Sequence, residues 1–215
     1  MRITWYGRTC FRLGGRGLDN VVTDPYPPDF GLTYTRTRAQ IVTASRNIPE
    51  CTYTSGVRGP SKLLNGPGDY EIGGVFISGN AIYPKKKTAN GLVTIFTFYY
   101  DGLTICHLGM LDRVPNQSEV ESIEAVDILL VPVGGGDTLT PAKASEVISL
   151  FEPRLVIPMY YKIPDLEEKV GKLDRFLKEM GLASVEEEEE LRISQSSLSE
   201  ETEIVILEPQ VKKAE

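Results

Sequence analysis

Histidine is nearly absent: the 215 residues contain one, His107. Neutral imidazole is the commonest side-chain ligand for zinc and related ions. A two-metal hydrolytic site needs roughly six N, O or S donors converging on one cleft. One imidazole therefore excludes a histidine-rich metal centre. Cysteine is scarce too: Cys10, Cys51 and Cys106 are an odd number without metal-type spacing. They read as free thiols in a reducing compartment, so a cytoplasmic protein is expected. No apolar run is long enough to span a bilayer, and no apolar leader opens the chain, so no membrane partner is expected. Basic residues are outnumbered by acidic ones, and the net charge of −7 argues against a nucleic-acid partner.

What is present suits one soluble globular domain over residues 1–215, with 41% hydrophobic and 25% charged residues. The first half reads as β: Ile3–Tyr6, Cys10–Leu13, Asn20–Thr23, Ile41–Ala44 and Val75–Ser78 are short apolar or alternating runs that end in turn signals. Leu92–Tyr100 and Leu103–Leu108 flank Asp101-Gly102, a strong hairpin signal. The second half alternates strand and helix. Asp127–Val133 and Leu155–Pro158 are continuous apolar runs, as in strands covered on both faces. Thr140 reads as an N-cap, with Pro141 at the first helical position and the helix over Ala142–Phe151. Val170, Leu173, Phe176, Leu177 and Met180 fall at helical spacing before Gly181, and Ile204–Leu207 supplies a last strand.

Several segments together resemble the metallo-β-lactamase fold, in a branch similar to ascorbate-6-phosphate lactonases. Trp5-Tyr6-Gly7-Arg8-Thr9-Cys10-Phe11 resembles that branch's Trp-x-Gly-His-Ser-x-Phe opening, and Val22-Thr23-Asp24-Pro25 its strand-ending Thr-Asp-Pro. Gly66-Pro67-Gly68-Asp69-Tyr70-Glu71-Ile72-Gly73-Gly74, Cys106-His107-Leu108-Gly109, Leu130-Val131-Pro132-Val133-Gly134-Gly135-Gly136 and Ile157-Pro158-Met159 follow in family order. The resemblance implies an α/β fold, a four-layer αββα sandwich, and a metal-dependent hydrolase ancestry.

The chain departs from the family at the metal ligands. The family's His-x-His-x-Asp-His motif aligns with Arg46-Asn47-Ile48-Pro49-Glu50-Cys51. Arg8 stands for a histidine, Met110 for the metal-bridging aspartate, Tyr160 for the late histidine, and a further histidine falls near Pro84. The replacements read as a cleft repacked without metal, in which Arg46 could pair with Glu50 or Asp24.

The cleft candidates are thus Arg8, Asp24, Arg46, Glu50, Met110, Tyr160 and Lys162. With three cations bordering it, the cleft could hold a phosphate or carboxylate. Glu50, Cys51 and His107 are weak catalytic candidates, as a residual mononuclear zinc site or a thiolate–imidazole pair. The bland readings beside these are a buried structural cysteine and a hydrogen-bonded structural histidine. Gly134-Gly135-Gly136-Asp137 reads as a tight turn and Gly66-Pro67-Gly68-Asp69-Tyr70-Glu71 as turn chemistry, with Asp69 and Glu71 solvated. The leading expectation is a noncatalytic member with no cofactor that binds a small anionic ligand or a protein partner. The alternatives are a hydrolase of a phosphorylated or lactone-like small molecule using an atypical zinc site, and a structural protein. The oligomeric state is left open.

Overall fold

A computed structural model describes residues 1–59, 61–84 and 91–214. In chain order the strands of its two large sheets are β1 (Arg2–Trp5), β2 (Phe11–Gly14), β3 (Val21–Thr23), β4 (Ile41–Thr43) and β5 (Lys62–Leu64). Then come β6 (Gly68–Ile72), β7 (Val75–Ile82), β8 (Val93–Tyr100), β9 (Leu103–His107) and β10 (Ile128–Pro132). Last are β11 (Leu155–Met159), β12 (Leu191–Arg192) and β13 (Glu203–Ile204). The first sheet has the order β12-β1-β2-β3-β4-β5, the second β13-β11-β10-β9-β8-β7-β6. Each mixes an antiparallel meander with parallel strands. Helices α1 (Gln117–Glu121), α2 (Pro141–Phe151) and α3 (Leu173–Glu179) all follow β9, and α2 packs on α3 and on β10.

Alternation explains how the first sheet is oriented. Ile3 pairs with Leu13 and Trp5 with Phe11, and all four are fully buried between the sheets. Their neighbours Arg2 and Arg12 point to the outer face. The two sheets meet where Phe11 sets its ring edge-on to His107, with centroids 6.2 Å apart. This is the α/β arrangement of facing sheets that the family resemblance implies. Strands β10 and β11 are buried at every residue, as expected of parallel strands covered on both faces.

Local signals set most boundaries. Asp101 and Gly102 both take left-handed backbone, φ 55° and 78°, as a two-residue hairpin between β8 and β9 requires. The Thr140 side chain accepts a hydrogen bond from the Lys143 amide at 3.4 Å and Pro141 opens α2, as expected. Gly181 (φ 72°) ends α3: its amide reaches the Lys178 carbonyl and that of Leu182 the Leu177 carbonyl.

Four boundaries differ from expectation. Helix α3 starts at Leu173 rather than near Val170, because the Gly171 amide is bound to the Gly134 carbonyl at 2.7 Å and holds that stretch in a loop. The Gly68–Ile72 stretch is not turn but edge strand, and its outward acids Asp69 and Glu71 blunt that edge. The Ile204–Leu207 run splits at Val205: β13 joins the second sheet while Ile206–Leu207 pairs with Glu187–Glu188. Helix α1 was not apparent in the sequence; Asn116 and Glu119 cap it reciprocally.

Candidate functional site

The β1–β2 turn carries Arg8 to the end of the sandwich where β3, β4, β9 and β11 also end. Gly7 and Arg8 both adopt left-handed backbone (φ 78° and 48°), which turns the chain back toward β2. The Arg8 carbonyl accepts from Trp5 Nε1 at 3.1 Å and from the Tyr160 amide at 3.1 Å, tying this turn to the segment after β11. Its guanidinium is 2% exposed and is held by a side chain that the sequence did not single out, Glu168. Arg8 Nε donates to Glu168 Oε2 at 2.7 Å and Nη2 to Oε1 at 3.0 Å, a bidentate pair. Nη1 donates to the Glu50 carbonyl at 2.9 Å. The Phe30 ring lies 3.9 Å from the guanidinium carbon, and the Tyr160 hydroxyl donates to Glu168 Oε1 at 2.8 Å.

Burial by itself would lower the pKa of Arg8; the hydrogen bonds and charge of Glu168 more than reverse this and hold it above its ordinary value. Tyr160 is pushed above the usual phenol range by burial first and the Glu168 charge second. The phenol therefore stays a neutral hydrogen-bond donor to the carboxylate.

A second cluster lies beneath. Asp24 is fully buried and strained, with φ 38°. Its Oδ1 accepts from the Ser45 amide at 2.6 Å and its Oδ2 from the Ser45 hydroxyl at 2.7 Å. Ser45 Oγ also accepts from the Met110 amide at 3.2 Å. Arg46, 4% exposed, donates to the Met110 carbonyl at 2.8 Å and approaches Asp112 at 3.7 Å. Its partners are therefore neither Glu50 nor Asp24: Ser45 occupies both oxygens of Asp24, and Glu50 contributes its backbone to Arg8. The loop fits because residue 109 is glycine at φ 53°; a Cβ there would lie 2.0 Å from Ser45 Cβ.

His107 closes the cluster. It is fully buried, its Nε2 bonds to the Thr9 carbonyl at 2.9 Å, and its Nδ1 has no partner among the described residues. Burial lowers its pKa, opposed by the Asp24 charge and the Thr9 bond. A carbonyl partner requires Nε2 to carry a proton, and burial disfavours a second one, so the neutral ring has its lone pair on Nδ1. Cys51 is buried and its thiol pushed well up, first by desolvation and then by Asp24. A thiolate–imidazolium pair needs the opposite shifts. Cys51 and His107 are thus both held in their neutral forms.

The structure brings Arg8, Asp24, Arg46, Glu50, Cys51, His107, Met110 and Tyr160 to one end of the sandwich. Lys162 stands apart: it is exposed, and its ammonium binds the Leu166 carbonyl of its own loop. Sequence reasoning missed Glu168, Ser45 and Phe30. Glu168 sits in Asp165-Leu166-Glu167-Glu168-Lys169, a stretch that reads as solvated charge.

The chemistry here is unfavourable to a dinuclear cation centre. Both Asp24 oxygens are already hydrogen-bonded, the Cys51 thiol resists deprotonation, and a fixed guanidinium lies close enough to Cys51 to act on its titration. No three His, Cys, Asp or Glu side chains converge as ligands among the described residues. Strain nevertheless gathers here: Arg8, Asp24 and Tyr160 are three of the six non-glycine residues with positive φ among the described residues.

The two facing mixed sheets match the fold of a solved structure of the metallo-β-lactamase superfamily. A profile described as the β-lactamase superfamily domain matches residues 2–160, and the chain belongs to that superfamily. A solved structure from Thermotoga maritima, assigned as a Zn-dependent hydrolase of the metallo-β-lactamase superfamily, is 33% identical. Its TM-score is 0.79, with 96% of this chain and 97% of that chain covered. A UPF0173 protein of Pyrococcus abyssi is 26% identical over 180 residues, covering 75% of this chain and 83% of its own length. A UPF0173 metal-dependent hydrolase of Nitratidesulfovibrio vulgaris is 28% identical over 204 residues, covering 80% and 84%. Igni18, a metallo hydrolase of Ignicoccus hospitalis, shares the fold at 17% identity and TM-score 0.64.

The single imidazole gives a clean test of the site's electrostatics. The depressed His107 pKa means that the unfolded chain takes up a proton near pH 6.5 before the folded one does. Stability from this group is therefore complete above about pH 6.5 and is lost as pH falls toward the folded value, at up to about 1.4 kcal/mol per pH unit. The one imidazole NMR resonance is expected to stay at its neutral position through pH 6.5. Ordinary titration near that pH would refute the burial argument.

Proposed function

We propose that this chain is a noncatalytic member of its superfamily, in which the Arg8–Glu168 ion pair occupies the centre of the ancestral metal cleft. The pair carries the reading. A guanidinium held bidentately at 2.7 and 3.0 Å, faced by Phe30 and braced by Tyr160, fills the space with fixed positive charge. Ser45 serves Asp24 as a metal would, by satisfying its desolvated oxygens. The working role is then binding of a small anionic ligand or a protein partner by a preserved scaffold.

The relatives described as metal-dependent hydrolases favour a second reading, a hydrolase of a phosphorylated or lactone-like molecule with one zinc on atypical ligands. The buried His107 Nδ1, without a partner among the described residues, is a free lone pair in its favour. Metal content decides between them. Protein purified from medium supplemented with zinc, manganese and iron is expected to retain less than about a tenth of an equivalent of each, since a site this poor in free donors binds weakly. A full equivalent that survives dialysis, together with phosphate-ester or lactone hydrolysis abolished by Cys51→Ala or His107→Gln, would establish the hydrolase instead.

A further inference from the structure

The other end of the β1–β2 ladder carries a concentration of positive charge that a chain of net charge −7 does not lead one to expect. A cavity of about 380 Å³ opens there, lined by Arg2, Arg12, Arg16 and Arg192 with Asn20 and Asp101. Arg2 of β1 stands directly opposite Arg192 of β12, and like charges in that register destabilise a sheet. One carboxylate serves both: Glu190 Oε1 lies 3.1 Å from Arg2 Nε and 3.2 Å from Arg192 Nε. Among the described residues Arg12 bonds only the neutral Asn20 Oδ1, at 2.9 Å. Arg16 makes no ion pair among the described residues. Asp101 is itself paired with the Met1 ammonium at 2.7 Å. The cavity thus holds more guanidinium than carboxylate, and two of its four arginines have no anionic partner among the described residues.

A second cavity of about 550 Å³ adjoins it, sharing Arg16 and Asp101 and adding Leu18, Tyr99 and Leu103. Tyr99 is half-buried, with its ring 5.3 Å from that of Phe76, so an aromatic wall is held in place beside the charged pocket. The Tyr100 hydroxyl donates to the Asp19 carbonyl at 3.0 Å and fixes the 15–19 loop against β8. Each cavity lies within the usual size of a small-molecule site, about 300–1,000 Å³.

We infer that these joined cavities are a binding site for a phosphorylated ring compound of the nucleoside di- or triphosphate class. The phosphates lie among Arg2, Arg12, Arg16 and Arg192, and the ring lies over Leu18 and Tyr99. Guanidinium forks match phosphate oxygens, and several together offset the charge of a polyphosphate. The aromatic face takes a planar base at little conformational cost. Glu190 shields Arg2 and Arg192 from each other when no ligand is bound. The site is distinct from the Arg8–Glu168 cleft, which lies beyond the Trp5–Phe11 rung of the same ladder.

Calorimetric titration of the full chain with ATP, inorganic pyrophosphate and adenosine tests this. ATP is expected to saturate at one per chain, pyrophosphate to bind about tenfold more weakly, and adenosine not to bind detectably. The Arg12→Gln/Arg16→Gln pair is expected to weaken ATP at least about tenfold with an unchanged unliganded melting temperature. If that pair folds poorly, the same loss is read from Arg16→Gln, whose side chain is exposed. Absence of saturable ATP binding, equal affinity in the variants, or pyrophosphate binding as tightly as ATP would each overturn the assignment.

Discussion

Glu168→Ala is expected to lower the unfolding free energy by about 3 kcal/mol, at the lower end of the cost of orphaning a buried charge. Arg8 is 2% exposed while its partner's side chain is 18% exposed, so solvent can relieve the vacated site only from the Glu168 side. The alanine leaves two guanidinium nitrogens and the Tyr160 hydroxyl without their acceptor. Urea denaturation at pH 7 should show a lower midpoint with an unchanged slope. The double variant Arg8→Met/Glu168→Leu should recover most of the loss, because removing both charges removes the desolvation problem along with the attraction. In Glu168→Ala, added phosphate should raise the melting temperature by more than it does in the parent chain. A loss within about 1 kcal/mol would reduce the pair to an ordinary surface ion pair and remove the basis of the proposed function.

Gly109→Ala tests the packing under the cleft. The added Cβ would sit 2.0 Å from Ser45 Cβ and 2.4 Å from its hydroxyl, on backbone already at φ 53°. Ser45 Cβ is fixed to its backbone and cannot swing away, so β4 and the loop after β9 must separate. That movement would break the Ser45 bonds to Asp24 and Met110. Overpacking and left-handed strain each cost about 1–3 kcal/mol, so a loss of about 3 kcal/mol or more is expected. Gly17→Ala is the control: its φ is 76°, yet nothing lies within 4 Å of the added carbon. It should cost only about 1 kcal/mol, the backbone share alone. Equal losses in the two variants would show that the close approach at Gly109 does not matter.

Much of the scaffold was legible because its signals are local. Thr140-Pro141, Asp101-Gly102 and Gly181 act through a few neighbouring dihedrals, so their meaning survives without a tertiary context. Alternation in β1 and β2 and the continuous apolar runs of β10 and β11 report burial by one or two covering layers. Boundaries failed where a distant contact intervened. Gly171 leaves the helix that apolar spacing allots to it because the Gly134 carbonyl takes its amide. The β6 edge strand looked like turn because its glycines and acids are also what a protected edge uses.

The candidate site divides in the same way. That one imidazole cannot support a histidine-rich centre follows from residue identity alone; that arginine, methionine and tyrosine stand at ligand positions is what the family resemblance implies. Which groups neutralise those arginines follows from neither. Glu168 is 160 positions from Arg8, and Met110 is 64 from Arg46. Hydrogen bonds and Coulomb attraction fall off over a few ångströms, so only the folded path of the chain determines which acid meets which base. The tertiary structure therefore decided that Arg8 is locked to Glu168, that Asp24 is satisfied by Ser45, and that Arg12 and Arg16 meet in one cavity at the far end of the sheet.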